Sequence, residues 1–260
     1  MSSSTRTPSR RSLAAVILAA GKGTRMGSDL PKVCHEVAGH AIVWWVVQTC
    51  REAGVDRIVL VVGHGADRVR AVFAGDDADI DYVLQDRQLG TGHATNCAAP
   101  ALADFDGDVL VLAGDGPLIR RATIDAMLAR HRAARAAATL ATSVIPDPTG
   151  YGRIVRDGSN RFAAIVEHRN ATPAQRAIHE IYPSYACFDA RRLFAHLAAL
   201  PPDAASGEYY VTDVPAMMRA SGEIVEVVDA VPPEDVLSIN TPVQLAEVDA
   251  ILRSRLETHA

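Results

Sequence analysis

The sequence predicts an α/β fold built on a doubly wound, mostly parallel mixed sheet. Three observations carry this. Apolar runs of strand length alternate with segments of helical periodicity from residue 13 to residue 145. The run at 57–62 (RIVLVV) is continuously apolar instead of alternating, as a strand buried on both faces requires. The first run opens directly into the cationic, glycine-rich loop Gly21-Lys22-Gly23-Thr24-Arg25, and the carboxyl ends of strands are where open α/β sheets gather their ligands.

Each element has a local reason. Residues 14–19 (AAVILA) form the first strand. Residues 41–53 carry Ile42, Trp45, Val46 and Thr49 at helical spacing and end at Gly54, a C-cap, which places the tryptophans in the core. Residues 57–62 (RIVLVV) are a buried strand closed by Gly63. A helix over 66–73, a strand over 80–84, a loop and small-residue helix over 90–102, and a strand over 108–112 follow. The last of these ends in Ala113-Gly114-Asp115. A helix over 124–137 and a strand over 138–145 complete five alternations.

Beyond Pro146 the rhythm changes. Residues 153–156 and 162–168, separated by Asp157-Gly158-Ser159-Asn160, predict a hairpin. Thr172-Pro173-Ala174-Gln175 and Thr241-Pro242-Val243-Gln244 each combine a capping Thr, Pro at the first helical position and Gln two residues after it, so both start helices. The second leads an amphipathic helix to about residue 256, with Leu245, Val248, Ile251 and Leu252 on one face, after a strand-like stretch over 236–239. The second half is expected to fold over the first sheet as a lid or β-rich insert.

Composition narrows the function classes. With 260 residues, 48% hydrophobic and 22% charged, and a net charge of −5, the chain is expected to be globular, with no bulk attraction to nucleic acid or to a membrane. Cys34, Cys50, Cys97 and Cys187 have no C-x-x-C spacing, which suits free thiols in a reducing cytoplasm. Residues 1–12, basic and free of acids, read as a disordered tail; a signal peptide cleaved there would remove the phosphate loop.

The loop after the first strand is a phosphate site, because glycines let backbone N–H groups approach oxygens while Lys22, Arg25 and Lys32 supply charge. It is not a Walker loop: Val16 stands where its first glycine belongs, and Gly23 follows Gly21-Lys22 where Ser or Thr is needed. Nor is it a dinucleotide loop, since Met26 stands where the third glycine is needed. Asp115, at the end of a strand expected near the first, places a hard carboxylate beside the phosphates, as Mg²⁺ requires, and Asn240 offers a neutral oxygen.

The motifs LAAGKGTRM, DLPK, LQDRQLGTGHA, GDGPLI, GYGRIVRD, IVEHRNATPAQ, GEYYVTD and SINT stand in this order over about residues 13–255. The chain thereby resembles the uridylyltransferase domain of the bacterial N-acetylglucosamine-1-phosphate uridylyltransferases, within the sugar nucleotidyltransferases. The resemblance implies a Rossmann-like nucleotidyltransferase fold over 13–260: a nucleotide-binding half over 13–145, a β-rich sugar-binding insert over 146–240 and a C-terminal helix over 241–257. It implies catalysis by Arg25 and Lys32, and nucleotide contacts from Leu18, Ala19, Ala20, Gly21, Lys22, Gly23, Gln85, Gly90 and Thr91, with Gln85, the backbone around Gly90 and the Thr91 hydroxyl reading the uracil base. Gly152, Glu167, Tyr182, Tyr210 and Thr212 would line the sugar pocket, and Asp115 and Asn240 would hold Mg²⁺.

The implied substrates are UTP and an amino-sugar 1-phosphate, handled by a monomer or small homo-oligomer. The family's left-handed β-helix acetyltransferase half has no counterpart in the motifs, so no acetyl transfer is expected. Two departures stand out. Tyr182-Pro183-Ser184 replaces the family's Asn-Thr-Gly, and Gly116 stands where a β-branched residue is common, which predicts a looser metal turn. A cytidylyltransferase with a similar first loop and a non-catalytic nucleotide-sugar sensor are the competing readings.

Overall fold

A computed structural model describes residues 11–259. Its organising strand is β1 (Ser12–Ala19), which pairs in parallel with β4 (Arg57–Val62) on one side and β6 (Gly107–Ala113) on the other. β5 (Ile80–Leu84) extends the sheet beyond β4. Between these strands run α1 (Ile42–Glu52), α2 (Ala66–Ala71) and α3 (Thr91–Cys97), with a two-residue hairpin, β2 (Glu36–Val37) and β3 (His40–Ala41), ahead of α1. β1 is apolar from Leu13 onward because both its faces are covered there. Leu13, Ala15 and Ile17 pack against Val43, Val46 and Val47 of α1, while Ala14 and Val16 face the opposite layer.

The second half continues this sheet; it does not lie over it as a lid. After α4 (Arg121–Ala134), β7 (Ala138–Val144) runs in the same direction as β6, but the two are separated by β11 (Tyr185–Asp189), antiparallel to both. β8 (Gly152–Arg156) and β9 (Phe162–Val166) form the expected hairpin, joined to β7 through β10 (Glu180–Tyr182). β12 (Val225–Asp229) adds a parallel partner to β7, giving ten strands in a mixed, mostly parallel sheet. The chain leaves one ladder and enters the next at Pro183-Ser184: Pro183 has no N–H to donate, and Ser184 takes a left-handed conformation with φ 71°.

α6 (Ala190–Ala198) and α7 (Val214–Ala220) pack on the face that carries α3, through Leu193, Leu197, Val214 and Met218. Thr172 makes the expected capping box, on the single turn α5 (Pro173–Arg176). α8 (Pro242–His259) buries Val248 and Leu252 against Val37 and Ile42, and Asp249 accepts the Ala38 N–H at 2.7 Å.

Other expectations are corrected. Of the expected N-terminal tail, residues 1–10 lie outside the described residues, but Ser12 begins β1 and the Arg11 guanidinium pairs with Asp189 at 2.5 Å and Asp108 at 3.2 Å. Residues 236–239 form no strand; a single backbone bond, from the Ile239 N–H to the Asp115 carbonyl at 3.1 Å, does not make a ladder. The tryptophans are only half-buried: Trp44 stacks on exposed His40 at 3.7 Å, and the Trp45 indole donates to the Val37 carbonyl. The cysteines carry no disulfide; Cys34, Cys50 and Cys187 are buried and Cys97 partly so. Among the described residues, no helix is long and apolar enough to cross a membrane.

Candidate active site

The carboxyl ends of β1, β5 and β6 open on one cleft of about 840 Å³, within the range of small-molecule sites. β1 delivers Leu18, Ala19, Ala20 and Gly21 to its wall, β5 delivers Gln85, and β6 delivers Asp115. Three ends converge because these strands run parallel in one sheet, with β4 between β5 and β1, so their following loops must emerge on the same edge.

The cations are placed by two short 3₁₀ turns. Arg25 lies on the turn Thr24–Met26, bracketed by Gly23 and Gly27, both left-handed. A side chain at Gly23 would also collide with Cβ of Lys32, so glycine there lets the loop close onto the second turn, Lys32–Cys34. The Lys32 ammonium then pairs with the Asp115 carboxylate and donates to Asn240 Oδ1 at 3.0 Å, while Arg25 Nη2 donates to the same oxygen at 2.8 Å. Asn240 reaches this point because the Ile239 N–H bond pins its loop to the Asp115 turn, and Gln244 Oε1 accepts the Asn240 N–H at 2.9 Å.

Asp115 and Asn240 therefore already share one cation, the Lys32 ammonium. Two hard oxygen donors aimed at a common point fit Mg²⁺, which completes its shell with water and phosphate oxygens. No group of three or more His, Cys, Asp or Glu with metal-site geometry occurs among the described residues, so a softer, all-protein metal site has no support.

Across the cleft, Gly90 (φ 100°) turns β5's loop into α3, and any side chain there would strike the Tyr209 carbonyl. The Tyr209 N–H donates to the Leu89 carbonyl at 2.8 Å, the Gly92 N–H to the Tyr209 carbonyl at 2.7 Å, and the Val211 N–H to Thr91 Oγ1 at 3.1 Å. Residues 89–92 and 209–211 are thus one wall, which carries Gly90 and Thr91 from the first half together with Tyr210 and Thr212 from the second.

At the far end, Thr212 donates to Glu167 Oε1 at 3.3 Å, beside Gly152 and buried Tyr182. Burial pushes the Glu167 carboxyl above the usual carboxylate range, partly offset by the Thr212 bond and by Arg169. Burial also raises the Tyr182 phenol, with Glu167 adding to the effect. The Tyr210 hydroxyl is engaged within the protein: it donates to Glu208 at 2.7 Å, lies 2.8 Å from Ser206 Oγ and receives Arg169 Nη2, whose guanidinium sits 5.1 Å above the ring centroid.

Of the residues singled out in the sequence, Lys22 and Gly23 do not line the cleft. Lys22 is exposed, and Gly23 acts through its packing on Lys32. The cleft adds residues that sequence reasoning passed over. Gln88 donates to the Ala20 carbonyl at 2.7 Å, and Tyr151, Arg169 and Ser238 line the walls, together with Ser184 of the departure already named. The signal was position: all but Ser184 lie inside motifs already quoted. Buried Arg153 donates to the Tyr151 carbonyl and faces His168 Nδ1 at 3.1 Å, linking the 149–152 loop to the Glu167 end.

A family model described as the MobA-like NTP transferase domain matches residues 15–213. The chain is 48% identical over 244 residues to a protein named bifunctional protein GlmU from Brevibacillus brevis, covering 94% of this chain and 52% of that one. The proteins of the same name from Geotalea uraniireducens and Geobacter metallireducens are 45% and 46% identical over 244 residues. The chain spans about half the length of these curated relatives. Among solved structures, a protein described as a glucose-1-phosphate thymidylyltransferase from Bacillus anthracis superposes with a TM-score of 0.74 at 18% identity, covering 93% of this chain and 96% of that one, a likeness of fold.

Proposed function

The chain belongs to the MobA-like NTP transferase family, and on that premise we propose that it transfers a uridylyl group from UTP to a sugar 1-phosphate, most plainly N-acetylglucosamine 1-phosphate, releasing pyrophosphate. The observation that carries the reading is the meeting of Arg25, Lys32, Asp115 and Asn240 at one end of a cleft whose other end holds Glu167, Thr212 and Tyr182. One cleft with room for both substrates favours direct displacement: a phosphate oxygen of the sugar phosphate bonds to the α-phosphorus, the α–β bridging bond breaks, and its electron pair leaves with pyrophosphate.

Arg25 and Lys32 bind the triphosphate and offset the charge that builds on the α-phosphate and the leaving group. Asp115 and Asn240 would hold Mg²⁺, which when bound supplies further charge neutralisation at the phosphates. For Lys32 to reach a phosphate it must give up its present pairing with Asp115 and Asn240.

Glu167 and Thr212 offer an acceptor and a hydroxyl for sugar hydroxyl or acetamido groups. Tyr182, in place of the family's Asn, makes this end of the cleft the determinant of which sugar is taken. The free thiols and the lack of a disulfide among the described residues support a cytoplasmic location for this chemistry. The test is pyrophosphate release with UTP, CTP and dTTP against N-acetylglucosamine, glucose and galactose 1-phosphates. Strong preference for CTP would establish the cytidylyltransferase reading, and tight UTP binding without release would establish a sensor.

A further inference from the structure

We propose that His93 is a positioning residue that fixes the amide of Gln85 so that the cleft demands a hydrogen-bond donor on the nucleobase edge. The proposal rests on the reading of Gln85 as the residue that meets the base. Gln85 ends β5 and is buried, and His93 stands on the first turn of α3, so one loop brings both side chains together.

The orientation follows from what each neighbour can do. The Gly90 carbonyl only accepts, so the Gln85 atom 3.1 Å from it is the amide nitrogen Nε2. The same nitrogen lies 3.0 Å from His93 Nδ1, and with one amide hydrogen on Gly90 the other points at the ring. Nδ1 must therefore be the acceptor, which puts the ring proton on Nε2, the nitrogen that faces the Cys97 sulfur at 4.0 Å. Both amide hydrogens are then committed to the protein. Gln85 Oε1 has no protein partner among the described residues, while Gln85 lines the cleft.

A base edge that meets Oε1 must offer an N–H. Uracil presents one at N3, whereas cytosine presents a lone pair at that atom and meets Oε1 with repulsion. Turning the amide over would suit cytosine, but in this protein it would set Oε1 against the Gly90 carbonyl, and His93 could satisfy the turned amide only by moving its ring proton from Nε2, beside Cys97, to Nδ1. His93 thereby adds to the resistance that Gly90 sets against that rotation.

The experiment is calorimetric binding of UTP and CTP to the wild-type protein, His93→Leu and His93→Asn, with thermal melts to establish folding. Wild-type protein is expected to prefer UTP. In His93→Leu the preference should fall about tenfold, the scale of one lost hydrogen bond. His93→Asn places an amide oxygen near the Nδ1 position and should recover most of that preference. An unchanged preference in His93→Leu, or equal weakening of both nucleotides, overturns the role of His93. Wild-type protein that binds neither nucleotide, or CTP more tightly, overturns the uridylyl reading as well, so the two failures are separate results. Should His93→Leu fail to melt cooperatively, His93→Phe, which keeps a ring without the acceptor, carries the same comparison.

Discussion

The Tyr185 hydroxyl donates to the carbonyl of Gly116 at 3.3 Å, and a Cβ built at position 116 would lie 2.5 Å from that hydroxyl oxygen. The turn carrying Asp115 is therefore braced from below by a fully buried phenol. Gly116 thus has a steric reason: β11 supplies a buried tyrosine where a smaller residue would leave room for a branched side chain.

Gly116→Val should consequently destabilise the protein by about 1–3 kcal/mol, the cost of overpacking a filled core, and displace Asp115. Tyr185→Phe in the same chain removes the nearest atom and should return part of the loss. Thermal unfolding of the single and double variants measures this, and equal melting temperatures for Gly116→Val and wild type would remove the steric account.

Asp115→Ala deletes both the carboxylate that pairs with Lys32 and one of two oxygens aimed at a cation. Turnover is expected to drop by about 10² or more, the scale for loss of an electrostatic stabiliser. The check is pyrophosphate release across a Mg²⁺ titration; release matching wild type would exclude Asp115 from the reaction.

Thr91→Val leaves the Val211 N–H without its side-chain acceptor inside the shared wall, at a cost of about 1–3 kcal/mol. Because that wall carries Tyr210 and Thr212 as well as Gly90, KM should rise for both substrates. Thr91→Ser keeps the oxygen and should stay close to wild type. A rise for the nucleotide alone would show that the two loops act independently.

Glu167 should make stability fall with pH in mildly acidic solution. Its folded-state pKa is raised by burial, so above the unfolded value of 4.5 the folded protein holds a proton that the unfolded chain has lost. Stability from this group is fully present below that value and is lost as pH rises through the raised folded value. Melting curves of wild type and Glu167→Gln over that window should diverge, with wild type losing ground as pH rises. Parallel curves would contradict the burial account.

How much of this was legible beforehand follows from the range of the interactions. β4 matches its expected bounds of 57–62, because a strand buried on both faces shows an unbroken apolar run regardless of its neighbours; the edge strand β5, only partly buried, also matches its expected bounds of 80–84. The capping box at Thr172 was equally visible, since it closes within four residues. β11 and β12 were not foreseen. Their positions beside β7 depend on partners far away in sequence, and nothing local says which edge a strand will join.

The site divides in the same way. Gly21, Arg25, Lys32, Gln85 and Asp115 could be assigned to one cleft from their order along the chain, because each stands on or follows the carboxyl end of a strand in a doubly wound sheet, and such ends share an edge. The placing of Lys32 between Asp115 and Asn240, the tie from Val211 to Thr91 and the 3.0 Å contact of His93 with the Gln85 amide came only with the packed chain. Those relationships are set by hydrogen-bond directions and by which atoms fill a shared space, and neither exists until the distant segments have packed together.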